Sequence, residues 1–247
     1  MAAPNKETFI PIKTTLPKSP LPDSASRGTI LTPRLLLRSI TQADLQAYHT
    51  IRTDAEIMKW TVQGRVDHDL AETQEKLNLF LPPNDVLKCN WAICLRDGNK
   101  NEEGQPELIG IGGVHIFSST FGWPELGYMI RRDYWGLGLA TEFLGAFVKY
   151  WVGEEGAEGS SSKKLEREET IIWVDERTLE GAAGVEMEIA VVEEQLLAVT
   201  SEHNGKSQGV LWKNGFEEFL TWNGTEPDGS SIGLPTFRYF PVRQRKE

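Results

Sequence analysis

Residues 125–142 read ELGYMIRRDYWGLGLATE, and this stretch decides the fold prediction for the whole chain. The apolar run from Trp123 to Ile130 predicts a strand, and the pair Gly136 and Gly138 predicts a tight loop after it. Apolar residues at helical spacing then predict a helix from Leu139 to Trp151. Because glycines let several backbone N–H groups converge and a helix N-terminus carries a partial positive charge, this loop favours the binding of a phosphate group.

The residues that follow the two glycines exclude the common nucleotide-binding loops. A P-loop requires Lys followed by Ser or Thr after its last glycine, whereas Leu139 and Ala140 follow Gly138 here. A dinucleotide-binding loop requires a third small residue where Thr141 stands, and an acidic residue about 20 positions further on. The phosphate ligand is therefore expected to belong to another class.

Residues 134–142 resemble the pyrophosphate loop of the GNAT acetyltransferases, written Gln/Arg-x-x-Gly-x-Gly/Ala, with Trp135 at its first position. The Trp-Gly form of the loop is common in the ribosomal-protein N-terminal acetyltransferase branch. Two further segments resemble that branch in the same order along the chain. Thr32–Arg38 with Asp54–Met58 is similar to its beginning, and Asn204–Ser207 with Trp212–Phe216 is similar to its end.

This resemblance implies one α+β domain with a mixed, mostly antiparallel sheet flanked by helices, and strands that splay apart at the coenzyme A site. We predict a disordered lead-in over residues 1–28 and a single GNAT domain over 29–247, with an acidic insertion at about 153–194. The patterns predict strands at Arg34–Arg38, Lys88–Leu95, Glu107–Phe117, Trp123–Ile130 and Gln195–Val199, and near Phe216–Trp222 and Phe237–Val242. They predict helices after Thr41 and at Ala71–Phe80, Leu139–Trp151 and Ser207–Asn214.

The resemblance also implies the acyl donor, acetyl-CoA, and the residues that bind it. The expected binding residues lie at the strand end, in the loop and before the last helix: Met129, Ile130, Arg131, Trp135, Gly136, Leu137, Gly138, Leu139, Ala140, Thr141 and Asn204. Asn204 corresponds to a family position that contacts the pantetheine arm, and its alternative interpretation is a turn residue before Gly205. The expected activity is transfer of an acetyl group to a primary amine, and the alternative is a non-catalytic coenzyme A-binding or protein-interaction module.

An attacking amine must lose a proton, so the reaction needs a general base. Glu125 is the candidate catalytic residue because it lies on the strand that faces acetyl-CoA, although it could instead only line the acceptor groove. His115 is a second candidate base. Many family members place a tyrosine general acid where this chain has Leu211, and either Tyr134 or solvent could protonate the thiolate instead.

Composition limits the other function classes. Cys89, Cys94 and the four scattered histidines form no metal-ligand pattern, so no metal is expected. No apolar stretch reaches the length of a membrane span, and no secretory signal is recognised, which predicts a cytoplasmic protein with no membrane partner. The net charge of −10 makes nucleic acid an unexpected partner. The expected partner is an amine acceptor (a protein N-terminus, a lysine or a small-molecule amine), and the chain is expected to be a monomer or homodimer.

The negative charge is concentrated between Gly153 and Glu194, which hold thirteen acidic and four basic residues. This composition is typical of a solvated insertion, with Gly156–Ser162 as a mobile linker. The runs Thr170–Val174 and Val185–Val192 could pair as a small hairpin. Further along the chain, Asn223-Gly224-Thr225 is typical of a hairpin turn. We also hypothesise that the insertion attracts a basic polypeptide substrate.

Overall fold

The computed structural model describes residues 3–98, 100, 104–154, 156–179, 189–225 and 229–241. The strands are β1 (Phe9–Pro17), β2 (Ile30–Leu31), β3 (Leu35–Arg38), β4 (Cys89–Leu95), β5 (Leu108–Ile116), β6 (Glu125–Ile130), β7 (Arg167–Asp175), β8 (Ala190–Val191), β9 (Leu196–Val199), β10 (Glu217–Thr225) and β11 (Ser231–Tyr239). The helices are α1 (Leu45–Arg52), α2 (Ala55–Met58), α3 (Leu70–Asn78), α4 (Leu139–Trp151) and α5 (Gly205–Lys213).

Among the described residues the main sheet has eight strands in the order β10-β11-β9-β6-β5-β4-β3-β2. Every neighbouring pair is antiparallel except β6 and β9, which run parallel. Short connections favour the antiparallel pairs β5–β6 and β10–β11, whereas β6 and β9 are joined by a long segment that includes α4. The predicted α+β fold with a mixed, mostly antiparallel sheet and flanking helices is confirmed.

Helices cover both faces of the main sheet and bury its side chains in two clusters. On one face, Phe143, Phe147 and Trp151 of α4 pack with Trp91 of β4 in the larger cluster. The apolar stripe of α4 supplies these contacts, because residues three and four apart lie on the same helix face. On the other face, Tyr48 and Ile51 of α1, Leu77 of α3 and Ile111 of β5 form a second cluster.

The prediction of a disordered lead-in is wrong over residues 9–17. This segment forms β1, which pairs antiparallel with β7 from Phe9↔Asp175 to Pro17↔Arg167. Buried and more exposed side chains alternate along β1, as is typical of a strand with one buried face. Ile12, for example, is buried in a cluster with Val174 and Phe121. The Pro, Ser and Thr content of the segment concealed this short apolar pattern.

The predicted hairpin inside the acidic insertion does not form in the described residues. Thr170–Val174 lies in β7, and β1 stands between β7 and β8 in a second, three-stranded sheet. Of the other predicted run, Val185–Val192, residues 185–188 lie outside the described part of the chain. The inserted residues therefore use the N-terminal segment as their pairing partner, which local sequence patterns could not indicate.

Two further local predictions are also wrong. The Gly156–Ser162 linker is bound to the N-terminal segment, since the Ser161 N–H donates to the Thr29 carbonyl at 3.0 Å and the Leu31 N–H donates to Ser160 Oγ at 2.9 Å. The sequence Asn223-Gly224-Thr225, read as a hairpin turn, lies inside β10. There Gly224 pairs with Ile232 of β11, so the strands continue past the position expected for the turn.

Candidate active site

The centre of the candidate site is the place where β6 and β9 part. Glu125 pairs with Leu197 in parallel, and the Leu197 N–H donates to the Pro124 carbonyl at 2.8 Å. No further pair joins the two strands among the described residues, although both continue for several positions. The expected splay is therefore present, and Glu125 lies at the closed end of a gap between the strands.

The backbone N–H and C=O groups of β6 point alternately toward β5 and toward the gap beside β9. The Arg131 N–H donates to the Ile109 carbonyl at 2.8 Å, so its backbone faces β5. Since the N–H and C=O groups of successive strand residues point in alternate directions, Ile130 and Tyr128 face the gap, whereas Met129 faces β5. Of the three strand residues expected to bind the donor, only Ile130 presents backbone groups to the gap, and Tyr128 is an additional residue that the sequence did not suggest.

The glycine loop has the conformation that the sequence predicts. Gly136 has φ 76° and Gly138 has φ 77°, values at which a side chain is strained. A Cβ atom at Gly136 would meet no atom within 4 Å, and one at Gly138 would meet only Arg34 Nη2, at 3.5 Å. The space that a side chain at either glycine would occupy is therefore open to a ligand.

Gly138 is also the N-cap residue of α4. The backbone N–H groups of Gly136, Gly138 and Ala140 donate to no other residue in the described part of the chain. The first N–H groups of a helix have no acceptor within the helix and bind anions readily. Leu139 is buried in the larger cluster and fixes the start of α4, whereas Leu137 is exposed and Thr141 is half-buried.

Trp135 fastens the loop to the strand and to α5. Its indole Nε1 donates to the Ile130 carbonyl at 2.7 Å, and its ring packs against both core clusters. Lys206 Nζ, in the first turn of α5, lies 5.1 Å from the centre of the Trp135 ring. The loop, the end of β6 and the N-terminus of α5 therefore meet at one place.

Glu125 lies in an environment that disfavours a charged carboxylate. Its side chain is 16% exposed, and burial raises its pKa to about 7. His115 Nε2 lies 3.8 Å from Glu125 Oε1, but burial, with a smaller effect from nearby Lys88, lowers the pKa of His115 to about 4. At neutral pH His115 is therefore uncharged, and the two side chains do not form an ion pair. Glu125 is thus left able to exchange a proton near pH 7.

The usual tyrosine position, Leu211, is buried in the larger core cluster and bears no proton donor. Tyr134, the substitute considered from the sequence, packs beside Arg131, whose guanidinium carbon lies 5.4 Å from the ring centre. A different pair of hydroxyl groups joins β6 to α5, since Tyr128 Oη lies 2.9 Å from Ser207 Oγ. Burial raises the pKa of Tyr128 to about 12, against the opposite effect of the Ser207 hydrogen bond, so this phenol is protonated at neutral pH.

Asn204 is the N-cap residue of α5, and its Oδ1 accepts a hydrogen bond from the Ser207 N–H at 3.2 Å. This contact is a helix cap, whereas the alternative interpretation of Asn204 was a turn residue before Gly205. The Nδ2 group of Asn204 donates to no other described residue, which leaves it free for a ligand. The same residue can therefore both order α5 and contact a donor molecule.

Other ligand classes find little support in the described residues. No group of three or more His, Cys, Asp or Glu side chains there could hold a metal ion. Cys89 and Cys94 are free and buried, and burial raises the thiol pKa of each. No helix in the described part of the chain is long and apolar enough to cross a membrane.

A strand that parts from a parallel neighbour and leads through a glycine loop into a helix defines the acetyltransferase class with the GNAT fold. The family model for the acetyltransferase (GNAT) domain matches residues 34–217, and the chain belongs to this family. An uncharacterized N-acetyltransferase of Bacillus subtilis, YoaA, is 25% identical over 147 residues, which cover 58% of this chain and 73% of that protein.

Solved structures show the same fold. A GNAT-family acetyltransferase from Bacillus anthracis is 18% identical with a TM-score of 0.57, over 87% of this chain and 99% of the other. RimL, a ribosomal L7/L12 alpha-N-protein acetyltransferase in complex with coenzyme A, is 13% identical with a TM-score of 0.56. That match covers 86% of this chain and 97% of RimL. The resemblance to the ribosomal-protein branch thus has a counterpart among the structural neighbours.

Proposed function

We propose that this protein transfers the acetyl group of acetyl-CoA to a primary amine. The observation that carries the proposal is the position of Glu125, a carboxyl group with a pKa of about 7, at the closed end of the gap between β6 and β9. Family membership supports the acetyltransferase class, and RimL, a structural neighbour, is described in complex with coenzyme A.

The open loop supports a pyrophosphate-binding role. The N–H groups of Gly136, Gly138 and Ala140 have no acceptor among the described residues, and a Cβ atom at either glycine would enter open space. The Ile130 N–H and the backbone of Tyr128 would bind the pantetheine amides as an added strand would, while the Ile130 carbonyl accepts from Trp135 Nε1. Asn204 Nδ2 would donate to the same arm. Met129 and Arg131 would support the strand rather than contact the donor.

Glu125 would act as the general base. It takes a proton from the acceptor ammonium, either directly or through a water molecule, and the neutral amine then attacks the thioester carbonyl. The new N–C bond gives a tetrahedral intermediate, and a backbone N–H of β6 stabilises the negative charge on its oxygen. The nitrogen then releases its second proton to solvent as the C–S bond breaks and the thiolate leaves. A base with a pKa near 7 is well matched to this task at neutral pH.

Tyr128 and Ser207 would supply the proton to the departing thiolate. Their hydroxyl groups lie together beside the gap, and Tyr128 is protonated at neutral pH. Leu211 cannot serve in this role. A thiol has an ordinary pKa of about 8.5, so the thiolate is a good leaving group and needs only modest assistance.

The acceptor that we favour is the α-amine of a protein N-terminus. RimL is described as an alpha-N-protein acetyltransferase, and the sequence resembles the ribosomal-protein branch. Lysine side chains and small-molecule amines are the alternatives, because acceptor specificity depends on the variable segments around a shared catalytic centre.

The test is release of free coenzyme A thiol from acetyl-CoA in the presence of single acceptors. The set comprises a peptide with a free N-terminus, the same peptide with a blocked N-terminus and one lysine, and a polyamine. We expect turnover with the free N-terminus and acetylation of its α-nitrogen by mass spectrometry. Tight binding of coenzyme A without turnover on any acceptor would instead favour the non-catalytic module, which the buried Leu211 makes the second candidate.

A further inference from the structure

Arg34 lies immediately before β3, far from the glycine loop in sequence, and its side chain contacts that loop. Its Nη1 donates to the Leu137 carbonyl at 2.8 Å, and its Nη2 lies 3.5 Å from the position that a Cβ atom of Gly138 would occupy. From this geometry we propose that Arg34 is a further donor-binding residue, which holds the loop open and places Nη2 against the pyrophosphate. The inference rests on the proposed use of acetyl-CoA.

Glu142 fixes the position of Arg34. Its Oε2 accepts from Arg34 Nε at 2.6 Å, and its Oε1 accepts from the Arg34 backbone N–H at 2.9 Å and from the Thr32 hydroxyl at 2.6 Å. Burial opposes ionisation, but the hydrogen bonds from Thr32 and Arg34 hold the pKa of Glu142 below its ordinary value. The charged carboxylate in the first turn of α4 thereby ties the segment before β3 to the loop.

The remaining donor of Arg34 points where a phosphate is expected. Nη1 and Nε are engaged by Leu137 and Glu142, whereas Nη2 donates to no other described residue. A guanidinium is a planar group whose N–H donors suit phosphate oxygens, and a charge-assisted bond of this kind is stronger than a neutral one. The loop glycines supply backbone donors only, so Arg34 adds a positive charge to the N–H groups and the helix dipole of the loop.

A purely structural ion pair between the segment before β3 and α4 is the competing explanation. The chain offers a matched control in Arg65 and Glu72, an ion pair on another face of the fold. Their side chains are 47% and 16% exposed, compared with 49% and 15% for Arg34 and Glu142. Surface pairs contribute little to stability, so Arg34→Met and Arg65→Met are both expected to fold.

The experiment measures the Kd of coenzyme A, 3′-dephospho-coenzyme A and pantetheine for the wild type, Arg34→Met, Arg34→Lys and Arg65→Met by calorimetry. We expect Arg34→Met to weaken both pyrophosphate-containing ligands by about tenfold or more. Pantetheine binding should change less than about twofold. Arg34→Lys keeps the positive charge but loses the planar guanidinium, so its affinity for coenzyme A should lie between those of the wild type and Arg34→Met. Arg65→Met should have the affinity of the wild type.

Each other outcome contradicts the inference in a different way. Equal loss for all three ligands in Arg34→Met would indicate a general disturbance of the site. If Arg34→Met weakens the binding of coenzyme A but not of 3′-dephospho-coenzyme A, Arg34 contacts the 3′-phosphate instead of the pyrophosphate. If the affinity for both ligands is unchanged, Arg34 does not contact the donor. A wild-type protein that binds none of these ligands would contradict the proposed function itself.

Discussion

Glu125 on β6 pairs with Leu197 on β9, and from this pair the two strands diverge. The pair fixes the position of the carboxyl group relative to the gap, because a strand residue at a sheet junction has little freedom to move. Near this junction, Trp123 lies in one buried cluster with Leu197 and with Val174 of the three-stranded sheet. The N-terminal segment and the insertion therefore support the end of the site that holds the candidate base.

Glu125→Gln should lower kcat by about 10²-fold or more if Glu125 is the base, and should leave coenzyme A affinity intact. The carboxyl group acts when ionised, and burial places its pKa at about 7. Wild-type kcat is therefore expected to rise as the pH increases through about 7 and to level off above it. Steady-state kinetics across pH with a chosen amine would test this.

His115→Gln is the control for that experiment. Since His115 is already neutral at the working pH, its replacement should preserve the inflection near pH 7. A Glu125→Gln protein that loses less than about threefold in kcat and keeps the wild-type profile would show that Glu125 only lines the groove.

Gly138→Val should abolish measurable binding of coenzyme A. The substitution forces a branched side chain into a φ of 77° and directs it over the loop where the pyrophosphate is expected. Gly153 is a matched control, since it has the same φ of 77° and open surroundings but lies beyond the far end of α4. Calorimetry should give wild-type affinity for Gly153→Val, and a folded Gly138→Val protein with unchanged affinity would contradict the loop assignment.

The sequence predicted the loop and the strands around it because their signals are local. Gly136 and Gly138 adopt the positive φ values that only glycine adopts easily, and α4 begins where its apolar stripe begins. Glu125 could be selected because it stands at the start of a strand that leads directly into this loop. Its placement at a sheet junction, however, depends on Leu197, which lies far along the chain.

The parts that the sequence did not reveal depend on contacts between distant residues. Arg34 reaches the loop across more than a hundred positions, and Tyr128 meets Ser207 across the gap. The pairing of β1 with β7 is likewise non-local, and each strand alone has a weak pattern. Composition suggested disorder for the N-terminal segment, and Thr170–Val174 was expected to pair within the insertion, because local patterns do not record that β1 and β7 supply each other with a partner.

Tyr128→Phe and Ser207→Ala should each lower kcat by about three- to tenfold, with a smaller effect on the Kd of coenzyme A. The two hydroxyl groups share one hydrogen bond, so the double variant should lose little more kcat than the single variant with the larger loss. Single-turnover measurements of thiol release would isolate the chemical step. Tyr134→Phe is the control and should retain the wild-type rate. A larger loss of rate in Tyr134→Phe than in Tyr128→Phe would indicate that Tyr134 is the proton donor.

Deletion of residues 154–167 should destabilise the protein, contrary to what a mobile linker would predict. The deletion removes Leu165, which is buried in the larger core cluster, and the hydrogen bonds of Ser160 and Ser161 with residues 29–31. It also removes Arg167, whose Nη1 donates to the Trp151 carbonyl at 2.9 Å and which pairs with Glu194.

Point variants give this prediction a measurable form even if the deleted chain does not fold. Leu165→Ala should lower the free energy of unfolding by about 2 kcal/mol or more, as is usual for a buried leucine. Lys164→Ala, at an exposed neighbouring position, is the control and should change it by less than about 0.5 kcal/mol. Urea unfolding followed by tryptophan fluorescence would measure both. If Leu165→Ala matches the wild type and the deleted protein unfolds at the same temperature, the segment is a dispensable linker, and the contacts with residues 27–31 contribute nothing to stability.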